Sequence, residues 1–260
     1  MLLVSVLIQY VEWSRMGNRM FNYAFGKILA RDKGVECFHN SIPDYNIPNN
    51  LSSYHYTHEP YVSTRSFGNN RVDYNDLLRA GNVRVDSFLQ RAEYYIGNRE
   101  YVRELFGMSA PQQTINSDKL VIHYRDTDYR SLGLVFNFNF YNKLINESGF
   151  NQVVIVTDDS NNEDVKKLLA IGCTLSTEGY VNEFSHSWFP RDKADFQTLL
   201  TSENIVVSHS SYSWWAAFLG DHKRIIFPFS KNDKKMWKCS PDRDDIDLYF
   251  NLGNSEKYVH

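Results

Sequence analysis

The sequence predicts an α/β protein built from two lobes, each with a parallel sheet. Short apolar runs alternate with longer segments of helical periodicity, which is the pattern of parallel strands joined by crossover helices. A polar, proline-containing stretch, Met108–Ser117, interrupts the alternation and is typical of a linker. Because 260 residues can form two small domains, we expect a first lobe over residues 1–112 and a second over residues 113–260.

The first lobe opens with the apolar run Leu2–Ile8, which predicts a strand. An amphipathic helix follows, with an apolar face from Met20 to Leu29, and Gly34 ends it. Residues 40–80 contain many Pro, Asn and Tyr residues and no long periodic run, so we expect a loop-rich insertion there. The lobe is completed by a strand over Val83–Phe88 and a helix over Ala92–Phe106.

In the second lobe the alternation is regular. The predicted strands are Lys119–His123, Gln152–Thr157, Asn204–Val207 and Arg224–Phe227. The predicted helices lie near Phe140–Glu147, Glu163–Ala170, Ala194–Thr201 and Ser213–Leu219. Ligands of open α/β sheets gather at the carboxyl ends of the strands, so the polar residues that directly follow these runs are the candidate functional residues.

Charge and cysteine content exclude several classes of protein. The 28 basic residues are balanced by 31 acidic ones, so there is no global basic field to hold a nucleic acid. The three cysteines lie far apart without C-x-x-C spacing, which argues against a zinc knuckle or a disulfide framework. No apolar stretch approaches the roughly 18–20 residues that span a bilayer. We therefore expect no nucleic-acid partner, no stable membrane insertion and a cytoplasmic location.

Two candidate turns follow the first strand of each lobe. In the first, Gly17 permits a tight turn before a helix whose N-terminus favours an anion or a polar sugar group; the alternative is an ordinary turn capped by Asn18. In the second, Arg125 offers a planar fork that matches phosphate oxygens, so it can neutralise a nucleoside diphosphate. The alternative is a surface ion pair between Arg125 and Asp128, with His123 satisfied in the core.

Two further groups of polar residues follow later strands. The pair Asp158-Asp159 is expected to cap the next helix and orient its loop. In the segment from Ser208 to Trp215, hydroxyls precede a helix start that needs one of them as its cap, so the others can bind a phosphate. Asp126-x-Asp128 can also hold Mg²⁺ or Mn²⁺ against a diphosphate, which would indicate a metal-dependent sugar transferase.

Taken together, these segments resemble the motifs of the alpha-1,2-fucosyltransferase family, in the same order and from residue 14 to about residue 227. The matching blocks are Met16-Gly17-Asn18-x-Met20-Phe21-x-Tyr23-Ala24, Asp86-x-x-x-Gln90-x-x-x-Tyr94-Tyr95, His123-x-Arg125-x-x-Asp128-Tyr129, and Asp195 followed by Ser210-Ser211-Tyr212-Ser213-Trp214-Trp215-Ala216-Ala217.

The resemblance implies a GT-B-type fold, in which two Rossmann-like lobes face each other across a cleft. It further implies an inverting, metal-independent transfer of fucose from GDP-fucose to a glycan hydroxyl, in alpha-1,2 linkage to galactose or a similar sugar, without a cofactor. The implied donor-binding residues are His123, Arg125, Asp195, Ser210, Ser211 and Ser213. The implied acceptor-side residues are Gly17, Asn18, Arg19 and Met20.

The sequence departs from the family pattern at three positions. Asp126 and Thr127 stand where a second arginine and a glycine are usual, and Arg19 stands where glutamine is usual. A negative charge thus replaces a positive one near the diphosphate, which leaves a non-catalytic nucleotide-sugar-binding protein as an alternative. For an active enzyme, Asp126 and Asp128 are the nearest candidates for the general base beside Arg125. Since Golgi members carry a membrane anchor, we expect a bacterial or viral enzyme.

Overall fold

The computed structural model of the protein describes a set of nine chain segments. These are residues 4–10, 14–42, 45–51, 60–67, 71–108, 118–131, 133–176, 189–229 and 246–259, with the backbone alone described at 127–128 and 189–193. The chain forms two compact units. Unit 1 comprises Met1–Ser109 and Ser240–Tyr249, and unit 2 comprises Ala110–Cys239 and Phe250–His260.

Unit 1 contains a four-stranded parallel sheet with helices. Its elements are β1 (Ser5–Ile8), α1 (Met16–Lys33), β2 (Glu36–His39), β3 (Tyr61–Ser63), a 3-10 turn (Thr64–Phe67), α2 (Tyr74–Arg79), β4 (Asn82–Val85), α3 (Glu93–Ile96) and α4 (Arg99–Leu105). The strand order is β2-β1-β4-β3. Within residues 40–80, predicted as a loop-rich insertion, β3 and α2 are short elements of three and six residues, which leave no long periodic pattern in the sequence.

Helix α1 confirms the predicted amphipathic helix and packs closely on β1. Phe21 and Phe25 are buried in the core of unit 1, and a Cβ at Gly26 would clash with the side chain of Ile8. The helix ends at Gly34, whose φ of 68° lies in the left-handed region, and the Gly34 N–H donates to a carbonyl of the last turn.

Two features of unit 1 differ from the sequence prediction. The helix predicted over Ala92–Phe106 is interrupted, because the backbone of Asn98 departs from helical dihedrals between α3 and α4. The segment Ser240–Tyr249, predicted as part of the second lobe, belongs to unit 1. Its described part, 246–249, buries two apolar side chains, and the backbone of Asp247 exchanges hydrogen bonds with Gln90 and Ala92.

Unit 2 contains a six-stranded parallel sheet. Its elements are β5 (Lys119–Tyr124), α5 (Thr127–Arg130), α6 (Phe138–Ser148), β6 (Gln152–Thr157), α7 (Glu163–Ala170), β7 (Thr174–Leu175), α8 (Phe189–Leu200), β8 (Asn204–Val206), α9 (Ser211–Leu219), β9 (Arg224–Phe229) and β10 (Ser255–Val259). The strand order is β10-β9-β8-β5-β6-β7. The predicted α/β class with two parallel sheets is confirmed. Trp214 and Trp215 of α9 are buried and belong to the packing of this unit.

The strand order of each sheet marks where a ligand is expected. In unit 2 the chain runs outward from β5 to β7 and then returns to β8, on the other side of β5. In unit 1 the corresponding reversal lies between β1 and β4. Open α/β sheets bind ligands outside the carboxyl ends of the strands at such switch points. Among the described residues, no helix is long and apolar enough to cross a membrane.

Candidate active site

The switch point of unit 2 is bridged by a hydrogen bond between the end of β5 and the loop that follows β8. His123, near the end of β5, is buried, and its Nδ1 lies 2.8 Å from the Oγ of Ser208. The His123 ring also lies 5.5 Å from the ring of Tyr212 in the first turn of α9. The structure therefore brings together the two segments that the sequence singled out as separate candidates.

His123 is held in its neutral form. Burial and, to a smaller extent, the positive charge of Arg125 lower the pKa of His123 to about 3, while Asp158 opposes this shift. A neutral imidazole has one donor and one acceptor nitrogen, so it can orient Ser208 on one side and a polar ligand group on the other. This geometry suits a binding role better than proton transfer near neutral pH.

The neutral state of His123 predicts a pH dependence of stability. Between about pH 6.5, the usual histidine pKa, and about pH 3, the unfolded chain binds a proton at His123 that the folded chain does not. The free energy of unfolding should therefore fall as the pH falls, by up to about 1.4 kcal/mol per pH unit. Urea unfolding at pH values from 7 to 5 measures this change. The free energy of unfolding of His123→Asn should depend less steeply on pH than that of the wild type, and an equal pH dependence would contradict this assignment. His39, whose pKa is also lowered by burial, contributes equally to both proteins.

Arg125 is the cation of this switch point, and Asp158 fixes its position. Its Nη1 lies 2.9 Å from the Oδ2 of Asp158, which follows β6, and its guanidinium lies 5.8 Å from the centre of the Tyr129 ring. The other oxygen of Asp158 accepts the backbone N–H of Asp126 at 3.0 Å. Asp158 therefore positions Arg125, a role that the sequence analysis missed. The sequence contains a signal for this contact. Because β5 and β6 are parallel neighbours, the polar residues that directly follow them, Arg125 and Asp158, lie at the same edge of the sheet.

Asp126 is a buried anchor of the loop after β5. Its carboxylate accepts hydrogen bonds from Arg130 at 2.9 and 3.2 Å and from the side-chain amide of Asn162 at 2.7 Å. Asn162 in turn caps α7 by accepting the N–H of Asp164 at 2.7 Å. Asp126 therefore uses three of the roughly four acceptor sites of a carboxylate, which leaves it little capacity for a metal ion or a substrate proton. The side chain of Asp128, the other predicted base, lies outside the described residues.

The serines at the start of α9 have different roles. Ser210 is the N-cap, and its Oγ accepts the N–H of Tyr212 at 3.2 Å. Ser213 is fully buried, accepts the N–H of Ser208 at 3.1 Å and donates to the Ser210 carbonyl. In the described part of the chain, the hydroxyl of Ser211 and the N–H groups of Ser211 and Ser213 have no hydrogen-bond partner. These free donors at a helix N-terminus form a site suited to an anion.

Asp195 lies on α8 at the same edge of the sheet. Its Oδ1 accepts a hydrogen bond of 2.7 Å from Ser176, which follows β7, and its side chain is buried. The next residue, Phe196, packs edge-on against Tyr212, whose ring contacts His123. The predicted donor-binding residues of unit 2 thus share one edge of the sheet, with Asp195 on the side of β7.

The predicted acceptor-side residues lie at the switch point of unit 1. The Oδ1 of Asn18 accepts a hydrogen bond of 2.8 Å from Gln90, which joins the start of α1 to the loop after β4. Met20 is fully buried, so it contributes to packing, and Gly17 is buried in the first turn of α1. Arg19 is only partly buried, and its Nε is shut off from solvent without a hydrogen-bond partner among the described residues.

The second motif block, beginning at Asp86, forms a scaffold around these residues. The Asp86 carboxylate accepts hydrogen bonds from the Ser63 hydroxyl at 2.7 and 2.8 Å and from Arg84 at 2.9 Å. The Tyr95 hydroxyl donates to the carbonyls of Leu89 at 2.9 Å and of Phe21 at 3.3 Å. These contacts hold β3, β4 and α1 together and leave Asp86 with a structural role.

Comparisons with known proteins show similarity in fold. Neither a scan against protein-family models nor a search of curated protein sequences finds a match. The fucosyltransferase NodZ from Bradyrhizobium superposes with a TM-score of 0.52 at 11% identity, over 86% of this chain and 94% of that one.

Two further solved structures align over most of the chain. A mutant of Arabidopsis thaliana FUT1 in complex with GDP gives a TM-score of 0.49 at 11% identity, over 86% of this chain and 71% of that one. The E. coli heptosyltransferase WaaC with ADP gives 0.42 at 15%, over 88% of each chain. The similarity to NodZ shows that this chain has the fold of a fucosyltransferase, as the sequence predicted.

Proposed function

We propose that the protein is a glycosyltransferase that moves fucose from GDP-fucose to a hydroxyl of a glycan. The observation that carries this proposal is the grouping at the switch point of unit 2, where Arg125, neutral His123 and the free donors of Ser211 line one sheet edge. Such a set of groups suits a nucleoside diphosphate. The fold similarity to NodZ supports the same class of enzyme. The alpha-1,2 linkage and the cytoplasmic location are proposed from the sequence resemblance.

The proposed reaction is a direct displacement with inversion. The oxygen of the acceptor hydroxyl attacks the anomeric carbon on the face opposite the diphosphate, and the bond from that carbon to the phosphate oxygen breaks. The electron pair of that bond leaves with GDP, so negative charge grows on the diphosphate. Arg125 and the donors of Ser211 stabilise that charge, and the hydroxyl proton passes to a carboxylate, for which Asp128 remains our candidate.

The proposal includes independence from a metal ion. The charge that a metal would neutralise on the diphosphate is assigned to Arg125 and to the α9 N-terminus. The alternative, a metal held by Asp126-x-Asp128, is disfavoured because Asp126 already accepts three hydrogen bonds from Arg130 and Asn162. Turnover of GDP-fucose should be unchanged by EDTA; abolition by EDTA and rescue by Mn²⁺ would favour the metal-dependent alternative.

Ser211 and Ser210 offer a matched pair of variants. Ser211→Ala removes a free hydroxyl, so we expect roughly tenfold weaker GDP binding, as for one hydrogen bond to a charged group, with an unchanged melting temperature. Ser210→Ala removes the N-cap of α9 and should cost about 1 kcal/mol of stability. Calorimetric titration and thermal melting measure both quantities. If Ser211→Ala leaves the affinity for GDP unchanged, the proposed anion site is not where the diphosphate binds.

A non-catalytic nucleotide-sugar-binding protein is the second candidate, favoured by Asp126 standing where a second arginine is usual. Both candidates predict stabilisation by GDP-fucose, so a thermal-shift screen of nucleotide sugars does not separate them. A coupled assay of GDP release in the presence of a glycan panel does. Release above the rate without protein supports the transferase, and stabilisation without release supports the binding protein.

A further inference from the structure

Arg19 differs from the other arginines of unit 1 in its surroundings. Arg31, Arg84 and Arg91 each face a carboxylate at 2.6–2.9 Å. Within the described segments the side chain of Arg19 makes no ion pair and no hydrogen bond, although its Nε is buried away from water. A buried donor without a partner costs roughly 1–3 kcal/mol, so a ligand that supplies the missing acceptor gains at this position.

A second observation at the same turn points to a negatively charged ligand. The N-cap position of the 18-residue helix α1 makes no side-chain cap hydrogen bond, and no acidic residue lies in the first turn. The Ser14 side chain, just before the cap, is 3% exposed, and its Oγ is buried without a partner among the described residues. Ser14 and Arg19 thus each present an unused side-chain donor, and the positive end of the α1 dipole lies beside them.

The position of Arg19 is where unit 1 is expected to bind a ligand. It lies in the first turn of α1, which follows β1 at the switch point between β1 and β4. Its neighbour Asn18 is held across that switch point by Gln90. The phenol of Tyr10, which follows β1, lies close enough for the charge of Arg19 to oppose the rise in its pKa caused by burial.

We infer that the switch point of unit 1 binds an acidic sugar, whose carboxylate is held by the fork of Arg19 and by the hydroxyl of Ser14. A planar guanidinium pairs with a carboxylate through two parallel hydrogen bonds, which a neutral hydroxymethyl group cannot replace. This inference rests on the proposed function, since it names the class of acceptor: a glycan that carries a uronic acid. A sulfated sugar presents related chemistry and is separated from it by experiment.

The test compares three probes that differ at one carbon: methyl β-D-galacturonide, methyl β-D-galactoside and its 6-sulfate. Ligand-observed NMR titration of the wild-type protein should show the uronide binding about tenfold tighter than the neutral galactoside. Arg19→Gln should remove that difference. Arg79→Gln, which removes one exposed, ion-paired arginine from α2 of the same unit, should retain it. If the 6-sulfate alone shows the Arg19-dependent gain, the ligand is a sulfated sugar and not a uronide.

The inference is overturned if the uronide and the galactoside bind equally to the wild type, or if Arg19→Gln keeps the preference. Because Arg19 leaves a donor unsatisfied, Arg19→Gln should melt no lower than the wild type, which keeps the comparison free of unfolding. GDP titration separates the two proposals. A wild type that binds the uronide through Arg19 but does not bind GDP refutes the proposed function alone, and the converse refutes the inference alone.

Discussion

Arg125→Ala is expected to lower the turnover of GDP-fucose by a factor of about 10²–10³, the usual loss when one group that stabilises a leaving anion is removed. Arg125 is the cation at the end of β5, fixed by Asp158 at 2.9 Å. Arg125→Lys keeps the charge but loses the fork, so an intermediate rate is expected. The measurement is the rate of GDP release under single-turnover conditions.

The matched control for Arg125 is Arg224. Arg224 also faces a carboxylate, Glu256 at 2.7 Å, but it lies at the amino end of β9, away from the carboxyl edge. Arg224→Ala should leave turnover within a factor of about two, because Arg224 lies away from the carboxyl edge. The fold should also be little affected, since an exposed ion pair contributes about 0–1 kcal/mol to stability. Near-normal turnover in Arg125→Ala, or an equal loss in both variants, would contradict the assignment of the diphosphate to Arg125.

Asp126→Ala is expected to destabilise the protein by about 2 kcal/mol, because it leaves the buried amide of Asn162 without its acceptor. The loss should reach the cap of α7, since Asn162 caps that helix. Denaturant unfolding measures the stability. Asp126→Asn, which keeps an acceptor oxygen, should lose less, and its GDP affinity should stay close to that of the wild type.

The same variants separate a structural role for Asp126 from a role as general base. A base would give a large fall in turnover with little change in stability, and its rate would not recover in Asp126→Asn. A positioning residue gives a fall in stability, with turnover that recovers in part when Asp126→Asn restores the hydrogen bond to Asn162. Intact stability together with abolished turnover in both variants would return Asp126 to the list of candidate bases.

The regular part of the fold could be predicted because it depends on local patterns. The strands β5, β6, β8 and β9 are apolar runs, and α6 and α7 end near glycines that stop helical periodicity. The short edge strands β3 and β7, of three and two residues, could not be predicted, since they depend on pairing with neighbours far along the chain. The return of residues 246–249 to unit 1 has the same cause.

In the candidate site, too, the local pattern could be predicted from the sequence and the long-range contacts could not. The sequence alone marked the residues after each strand as candidates, and the structure shows that two of these segments, at His123 and at Ser208, are in contact. Which serine is free could not be predicted, because Ser210, Ser211 and Ser213 differ only in their partners. The roles of Asp126 and Asp158 also depend on contacts over more than 30 residues, namely those with Asn162 and Arg125. A tertiary contact, not a residue type, decides each role.

The diphosphate of a nucleotide-sugar donor is proposed to bind at the switch point between β5 and β8. Calorimetric titrations of GDP and GMP with the wild type and with Arg125→Ala test this proposal most directly. We predict that GDP binds at least about tenfold tighter than GMP, since a charge-assisted hydrogen bond is worth about 1.5–3 kcal/mol, and that Arg125→Ala reduces this difference by about tenfold. Equal affinities of the wild type for GDP and GMP, or no binding of either, would contradict it.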